Sequence, residues 1–263
     1  MNRKIKAIFL DIDGTIRSMT TQSILPSTLE AIARAREGGV RIFIATSRAP
    51  QFMGSVAEIE NDGIIYLTGA YCVDDSGTVV NSQTIAREDA DALISYMLEN
   101  GKPLVGIRPD MLFANRPDSD EVRNVVGISG DFNYGFLPFS ERGELPITQF
   151  ISFYREGSDD DRLIRELMPH SSPVRWHPEF ADIVTKDSGK DVGVDSFCRH
   201  YGIDLSETAA IGDGMNDAPM LRHAAVGIAM GNARDELKNI ADWVTTDVDD
   251  DGIRNAFTYL GVI

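Results

Sequence analysis

The chain has 263 residues, with 25 Lys and Arg against 41 Asp and Glu, a formal net charge of −16 and a pI near 4.6. That acidic balance argues against nonspecific nucleic-acid binding, which needs cationic side chains to displace counterions from phosphate. At about 150 residues per domain the length admits one large or two modest domains, and a hydrophobic share of 43% excludes a wholly disordered chain.

The opening segment has basic residues and then an apolar run, Ala7 to Leu10, that stops at Asp11. The run is too short for the core of a signal peptide. No stretch approaches the roughly 18 apolar residues of a spanning helix. Cys72 and Cys198 lie far apart with no C-x-x-C pair, which reads as reduced thiols. The expectation is a soluble, cytoplasmic protein with no membrane or nucleic-acid partner; the sequence is silent on oligomeric state.

Residues Lys4 to Leu10 read as a buried strand running into Asp11-Ile-Asp13-Gly. Pro26-Ser-Thr-Leu-Glu opens a helix with Leu29, Ile32 and Ala33 on one face, stopped by Gly38-Gly39. Val40 to Ala45 is a second strand, ending in Thr46-Ser47-Arg48. A helix is predicted next, then a strand over Ile64 to Leu67. Strand and helix alternate, which predicts a parallel sheet with helical crossovers.

From about residue 84 to 182 the texture changes. Prolines concentrate there, a helix spans 87–100, and short β-like pieces such as Phe150 to Tyr154 appear. No strand in this stretch ends in a Gly-rich acidic loop, so it reads as an inserted α+β domain. The first rhythm then resumes. A helix covers Gly189 to Tyr201, and a strand over Thr208 to Ile211 runs into Gly212-Asp213-Gly. A helix follows at 216–224, a strand at Ala225 to Met230, a helix at Arg234 to Ala241, a strand at Asp242 to Thr245, and a last helix from about Asp251. The fold class is α/β: a Rossmann-like parallel core from 1–83 and 183–263, with 84–182 inserted.

In an open parallel sheet, ligands collect beyond the carboxyl ends of the strands. Those ends here carry Asp11 and Asp13, Thr46, and Asp213 with Asn216 and Asp217, while Lys190 begins a helix nearby. Carboxylates, a hydroxyl, an amide and one cation form a hard-oxygen set suited to Mg²⁺ with a phosphate.

Asp11-Ile-Asp13-Gly-Thr15, Thr46, Lys190 and Gly212-Asp213-Gly-Met-Asn216-Asp217 resemble, in order, the four motifs of the haloacid dehalogenase superfamily. The insert between Thr46 and Lys190 resembles the C2-type cap of its Cof-type sugar-phosphate phosphatases. The resemblance implies Mg²⁺-dependent hydrolysis of a small-molecule phosphate ester through an aspartyl-phosphate. Asp11 would be the nucleophile and Asp13 the acid/base. Thr46, the backbone of Ser47, Lys190 and Asn216 would bind phosphate or substrate. Asp11, Asp213 and the backbone carbonyl of Asp13 would hold the metal, with Asp217 orienting Lys190 or a metal-bound water.

Two positions depart from the pattern. Ser47 stands where glycine is common, and Thr68-Gly-Ala70 replaces the frequent Asn-Gly-Ala. In the insert, Arg175-Trp176-His177-Pro-Glu179-Phe180 combines polar and aromatic groups suited to a sugar ring. It makes Arg175, His177 and Glu179 candidate substrate contacts. Phosphomutase-type transfer and a noncatalytic phosphate-binding module are the alternative readings, the second disfavoured by the intact Asp13.

Overall fold

A computed structural model describes residues 4–126 and 135–263, so the first residues of the segment weighed as a leader lie outside the described residues. The chain divides into two compact units. The first comprises Met1–Thr46, Glu58–Asn81 and Gly189–Ile263, and the second Ser47–Ala57 and Ser82–Ser188.

The first unit is built on β1 (Ala7–Leu10), α1 (Pro26–Glu37), β2 (Arg41–Ala45), β3 (Gly63–Tyr66), β4 (Tyr71–Asp74) and β5 (Val79–Ser82). After the second unit come α5 (Lys190–Tyr201), β12 (Thr208–Gly212), α6 (Ala218–His223), β13 (Val226–Ala229), α7 (Asp235–Lys238), β14 (Trp243–Val244) and α8 (Gly252–Leu260). The eight strands lie in the order β14-β13-β12-β1-β2-β3-β4-β5. From β14 to β3 every neighbouring pair is parallel, and β4 turns back antiparallel on β3.

β1 is buried along its whole length, as a central parallel strand covered on both faces must be. Its side chains alternate. Ala7 and Phe9 join Phe43, Ile65, Val194, Phe197 and Leu221 in one apolar cluster, and Ile8 and Leu10 point to the opposite face. Phe43 stacks between Phe9 (4.9 Å between centroids) and Phe197 (4.5 Å), tying β1 and β2 to α5. From β1 the chain winds through α1 to β2 and β3 on one side, and later from β12 to β13 and β14 on the other. The switch in direction falls between β1 and β12, where such sheets open a crevice at the carboxyl ends.

The second unit holds α2 (Arg87–Glu99), β6 (Leu104–Ile107), β7 (Leu112–Ala114), α3 (Asp120–Val126), β8 (Phe136–Leu137), β9 (Gln149–Ser152), α4 (Asp159–Leu167), β10 (Ser171–His177) and β11 (Phe180–Thr185). Its sheet runs β10-β11-β9-β6-β7-β8, antiparallel except for β7 with β8. Leu93 and Met97 of α2 and Ile164 of α4 pack against Phe113, Phe150 and Ile183 of the sheet. A boundary at 182 would cut β11 in its middle; the strand runs on to Thr185 and the unit to Ser188.

Two predicted helices are shorter than their sequence pattern. After Thr46 there is no α-helix but two 3₁₀ segments, Pro50–Phe52 and Gly54–Glu58, because Gly54 turns left-handed at φ +54° and breaks the run. The helix expected over Arg234 to Ala241 is only α7, since Asp242 accepts from the Gly227 N–H (2.8 Å) and pulls the chain back to the sheet. Among the described residues no helix is long and apolar enough to cross a membrane, and both cysteines are buried and unpaired.

Phe43 is completely buried at the centre of its stack. Phe43→Ala is expected to cost about 3–5 kcal/mol of stability, measured by denaturant unfolding. A loss below about 1 kcal/mol would contradict the role given to this stack.

Candidate active site

Asp11 follows β1 directly, and its N–H continues the ladder to the Ile211 carbonyl (3.0 Å). Asp213 follows β12 in the same way, so the two carboxylates stand at the ends of adjacent strands. Between them passes the turn Ile12 to Arg17, whose N–H groups at 15, 16 and 17 all converge on the Ile12 carbonyl. Gly14 permits this turn. It sits at φ +90°, and a Cβ there would lie 2.2 Å from an Asp213 carboxylate oxygen. Thr15 donates to Asp213 Oδ1 (3.1 Å).

Lys190 is the first residue of α5, and its side chain has no solvent exposure. Its Nζ donates to Oδ1 of Asp11 (2.5 Å) and to Oδ1 of Asp217. The other Asp217 oxygen accepts from the N–H groups of Asp213 (3.0 Å) and Gly214 (2.9 Å). One carboxylate thus shapes the loop after β12 and positions the lysine. The start of α5 is fixed by Gly69 at φ +89°, where a Cβ would fall 1.9 Å from the Gly189 carbonyl oxygen.

Thr46 is buried after β2; its N–H donates to Ile65 (2.8 Å) and its carbonyl accepts from Thr68 (3.1 Å). Asn216 is half-buried in the 3₁₀ turn Met215–Asp217. Ser47 is half-buried and groups with the second unit. Asp13 is half-buried, and its Oδ1 accepts from Arg17 (3.1 Å).

Asp11, Asp213 and Asp217 offer carboxylate oxygens that lie within 4.8 Å of one another. The Asp13 carboxylate pairs with Arg17, and Asp217 joins Asp11 and Asp213 in the carboxylate cluster. Burial, then Asp217, push the Asp11 carboxyl well up, against the opposing pull of Lys190. Asp213 is pushed up to about 7 by burial and then by Asp217, with the Thr15 hydroxyl and Lys190 opposing. Burial works against the Lys190 ammonium, but Asp11 and Asp217 outweigh it and hold the charge firmly. Four carboxyl groups share two cations, Lys190 and Arg17, and the upward push on Asp11 and Asp213 reflects that crowding. Hard oxygens crowded in this way fit a divalent cation.

In the second unit, Arg175 bonds its neighbours through its two terminal nitrogens, while its buried Nε has no hydrogen-bond partner among the described residues. It reaches the carbonyls of Tyr154 (3.2 Å) and Phe180 (2.9 Å) and Oδ1 of Asp161 (3.1 Å), and its guanidinium lies 4.5 Å over the Tyr154 ring. His177 and Glu179 are exposed and line a cavity of about 670 Å³ with Lys102, Phe153, Arg155 and Phe180. This cavity sits at the start of β11, roughly 17 Å of strand from the Thr185 end through which the chain leaves the unit. The Trp176 side chain lies outside the described residues.

Sequence reasoning gave no role to Thr15, Arg17 or Asn232. Asn232 donates to the Gly14 carbonyl (2.7 Å) and accepts from the Val248 N–H (2.9 Å), bracing the turn that carries Asp13. Thr15 stood inside a quoted motif; neither Arg17 nor Asn232 carries any local signal.

A parallel sheet with two aspartates at its switch point, a buried lysine between carboxylates and an inserted second unit define a class of hydrolase. The chain belongs to the haloacid dehalogenase-like hydrolase family, whose sequence profile matches residues 8–257. It is 31% identical over 260 residues, 98% of either chain, to the Bacillus subtilis (strain 168) protein named "Putative phosphatase YkrA". Among solved structures it resembles the HAD subclass IIB sugar phosphatase BT4131, with 34% identity and a TM-score of 0.90 over 98% of this chain and 100% of that one. It also resembles BT1666 from Bacteroides thetaiotaomicron, a phosphatase of the same superfamily, with 32% identity and a TM-score of 0.86 over 99% and 97%. The protein is a HAD-type phosphatase with an α/β core of this family.

The carboxylate cluster links pH and stability. With no cation bound, the folded protein keeps a proton on Asp213 up to about pH 7, whereas an unfolded Asp releases it near 3.8. Between those values the folded state binds more protons, so this group's contribution to stability falls as pH rises. Chelator-treated wild type is expected to lose melting temperature relative to Asp213→Asn between pH 5 and 7.5. Mg²⁺ should restore it more at 7.5 than at 5. A wild-type minus variant difference that does not change with pH would refute this linkage.

Proposed function

We propose that the protein hydrolyses small phosphomonoesters of sugars, with Mg²⁺, through an aspartyl-phosphate on Asp11. The observation that carries this reading is the buried Lys190 ammonium clamped between Asp11 and Asp217 beside Asp213. It keeps Asp11 oriented and supplies fixed positive charge where a phosphate oxygen would arrive.

In the first half-reaction an Asp11 oxygen attacks phosphorus, the bond to the ester oxygen breaks, and Asp13 gives its proton to the departing alkoxide. In the second, Asp13 takes a proton from water, the water oxygen attacks phosphorus, and the bond to Asp11 breaks. Thr46 and Asn216, with the backbone N–H of Ser47, bind phosphate oxygens. Asp217 keeps Lys190 in place. Asp11, Asp213 and the Asp13 carbonyl would hold Mg²⁺, which would supply the charge compensation that lets anionic nucleophile and anionic phosphate meet.

In this reading the second unit is the cap of the family. The residues above touch only what all phosphomonoesters share, so they do not choose among sugars. The sugar class is supported by the description of BT4131 as a sugar phosphatase. The test is a panel of sugar, nucleoside and lipid-derived phosphate esters with and without Mg²⁺. Sugar phosphates should lead the ranking by kcat/KM, and a nucleotide or lipid phosphate at the head would overturn the class.

Asp11→Asn keeps the shape but removes the attacking anion, so turnover should fall by roughly three orders of magnitude or more with the fold intact. Activity above a tenth of wild type would remove Asp11 from its role. Asp13→Asn should still release nitrophenolate from p-nitrophenyl phosphate in a first turnover, because that leaving group needs little acid, and then stall. Multiple turnovers at the wild-type rate would exclude Asp13 as acid/base.

A further inference from the structure

Arg17 stands four residues after Asp13, across the turn that Gly14 makes possible. Its NH1 donates to Asp13 Oδ1 (3.1 Å), while Nε donates to the Gln22 carbonyl (3.3 Å) and NH2 to Gln22 Oε1. The guanidinium fork is thus divided, one arm on the carboxylate and two on Gln22. Because the fork is planar and rigid, the position of Gln22 is passed directly to Asp13. The Arg17 side chain is only 12% exposed, unlike the loose surface pairs that contribute little.

Gln22 is itself held in place. It adopts a left-handed backbone, φ +58°, that a residue with a Cβ keeps only when its surroundings dictate it. Its N–H donates to the Ser18 carbonyl (3.1 Å) and its side-chain amide to the Met19 carbonyl (2.7 Å). The Ser18 hydroxyl is anchored in turn on Asp249 (3.0 Å). Backbone bridges join Arg17 to both Asp13 and Ile24. Residues 19–23 are otherwise exposed, so this order at an open loop tip is directed inward, at one carboxylate.

We propose that Arg17 is a positioning residue for the general acid: braced by Gln22, it fixes the Asp13 carboxylate in the orientation from which it protonates the leaving group. The proposal rests on the acid/base reading of Asp13 given above. An acid must stand within about 2.6–3.2 Å of the atom it protonates, and a misplacement of about 1 Å can cost up to a hundredfold. The need for that placement grows with the basicity of the leaving group. A residue that merely stabilised the fold would have no such selectivity.

The experiment measures first-turnover release of the leaving group, by rapid quench with Mg²⁺ present, along a series of rising basicity: p-nitrophenyl phosphate, phenyl phosphate and β-glycerophosphate. For Arg17→Met the loss should grow along the series, from less than about threefold to about tenfold or more, with KM changed by less than about threefold. Arg17→Lys, which restores the charge without the fork, should recover part of it. If Arg17→Met does not fold, Gln22→Ala, which removes only the side-chain brace, should give the same gradient with smaller amplitude. A loss equal on all three esters, no loss at all, or a gain on β-glycerophosphate overturns the proposal. Wild type that releases no nitrophenolate in the first turnover would bring down the aspartyl-phosphate reading and this inference together; active wild type with a flat variant series brings down this inference alone.

Discussion

A lysine ammonium without solvent exposure is tolerable only where anions surround it, and Lys190 is that case. Its desolvation is offset by Asp11 on one side and Asp217 on the other, and those carboxylates are equally dependent on it. Removing Lys190 would leave two buried carboxylates with no cation between them. The network also spans the fold. Asp11 ends β1, Asp217 follows β12, and Lys190 begins α5, so the triad can close only if the central strands and the return helix are in register. The charge requirement of the site and the topology of the sheet are one constraint.

The backbone around the triad is arranged to allow that closeness. Gly14 admits the Asp213 carboxylate where any side chain would collide with it, and Gly69 admits the Gly189 carbonyl at the start of α5. Beside this polar layer the stack of Phe9, Phe43 and Phe197 joins two of the same elements, β1 and α5, to β2 by apolar contact. Burial that holds the strands together supplies the rigidity that keeps charged groups apart from water. Rigid strand ends then set their positions more sharply than a flexible loop could.

Much of this was legible in the sequence for definable reasons. β1, β2 and β12 are continuous apolar runs, because both faces of a central parallel strand are covered, and each stops abruptly at the polar residue that serves the site. The Pro at the start of α1 and the glycines after it marked that helix as clearly. What escaped depends on contacts between distant residues. No local pattern says that Asn232 braces Gly14, or that Arg17 turns back on Asp13. The span after Thr46 has helical composition, but Gly54 takes a conformation that ends the helix. Nor does any local pattern say that the terminal nitrogens of Arg175 bond two carbonyls and Asp161 within their own unit.

The overall charge sharpens the remaining question of how so acidic a protein accepts an anionic substrate. With a formal charge of −16 the long-range field opposes approach. At physiological salt, however, that field is screened beyond about 8 Å, so affinity is decided by the groups in the site. There four carboxyl groups stand against two cations, Lys190 and Arg17, and a phosphate dianion would meet acidic surroundings from the protein alone. Lys190 cannot resolve this, since its charge is already shared between Asp11 and Asp217. In the proposed reading a divalent cation among the same oxygens would offset that negative charge, so the excess of carboxylates would make metal binding and phosphate binding interdependent.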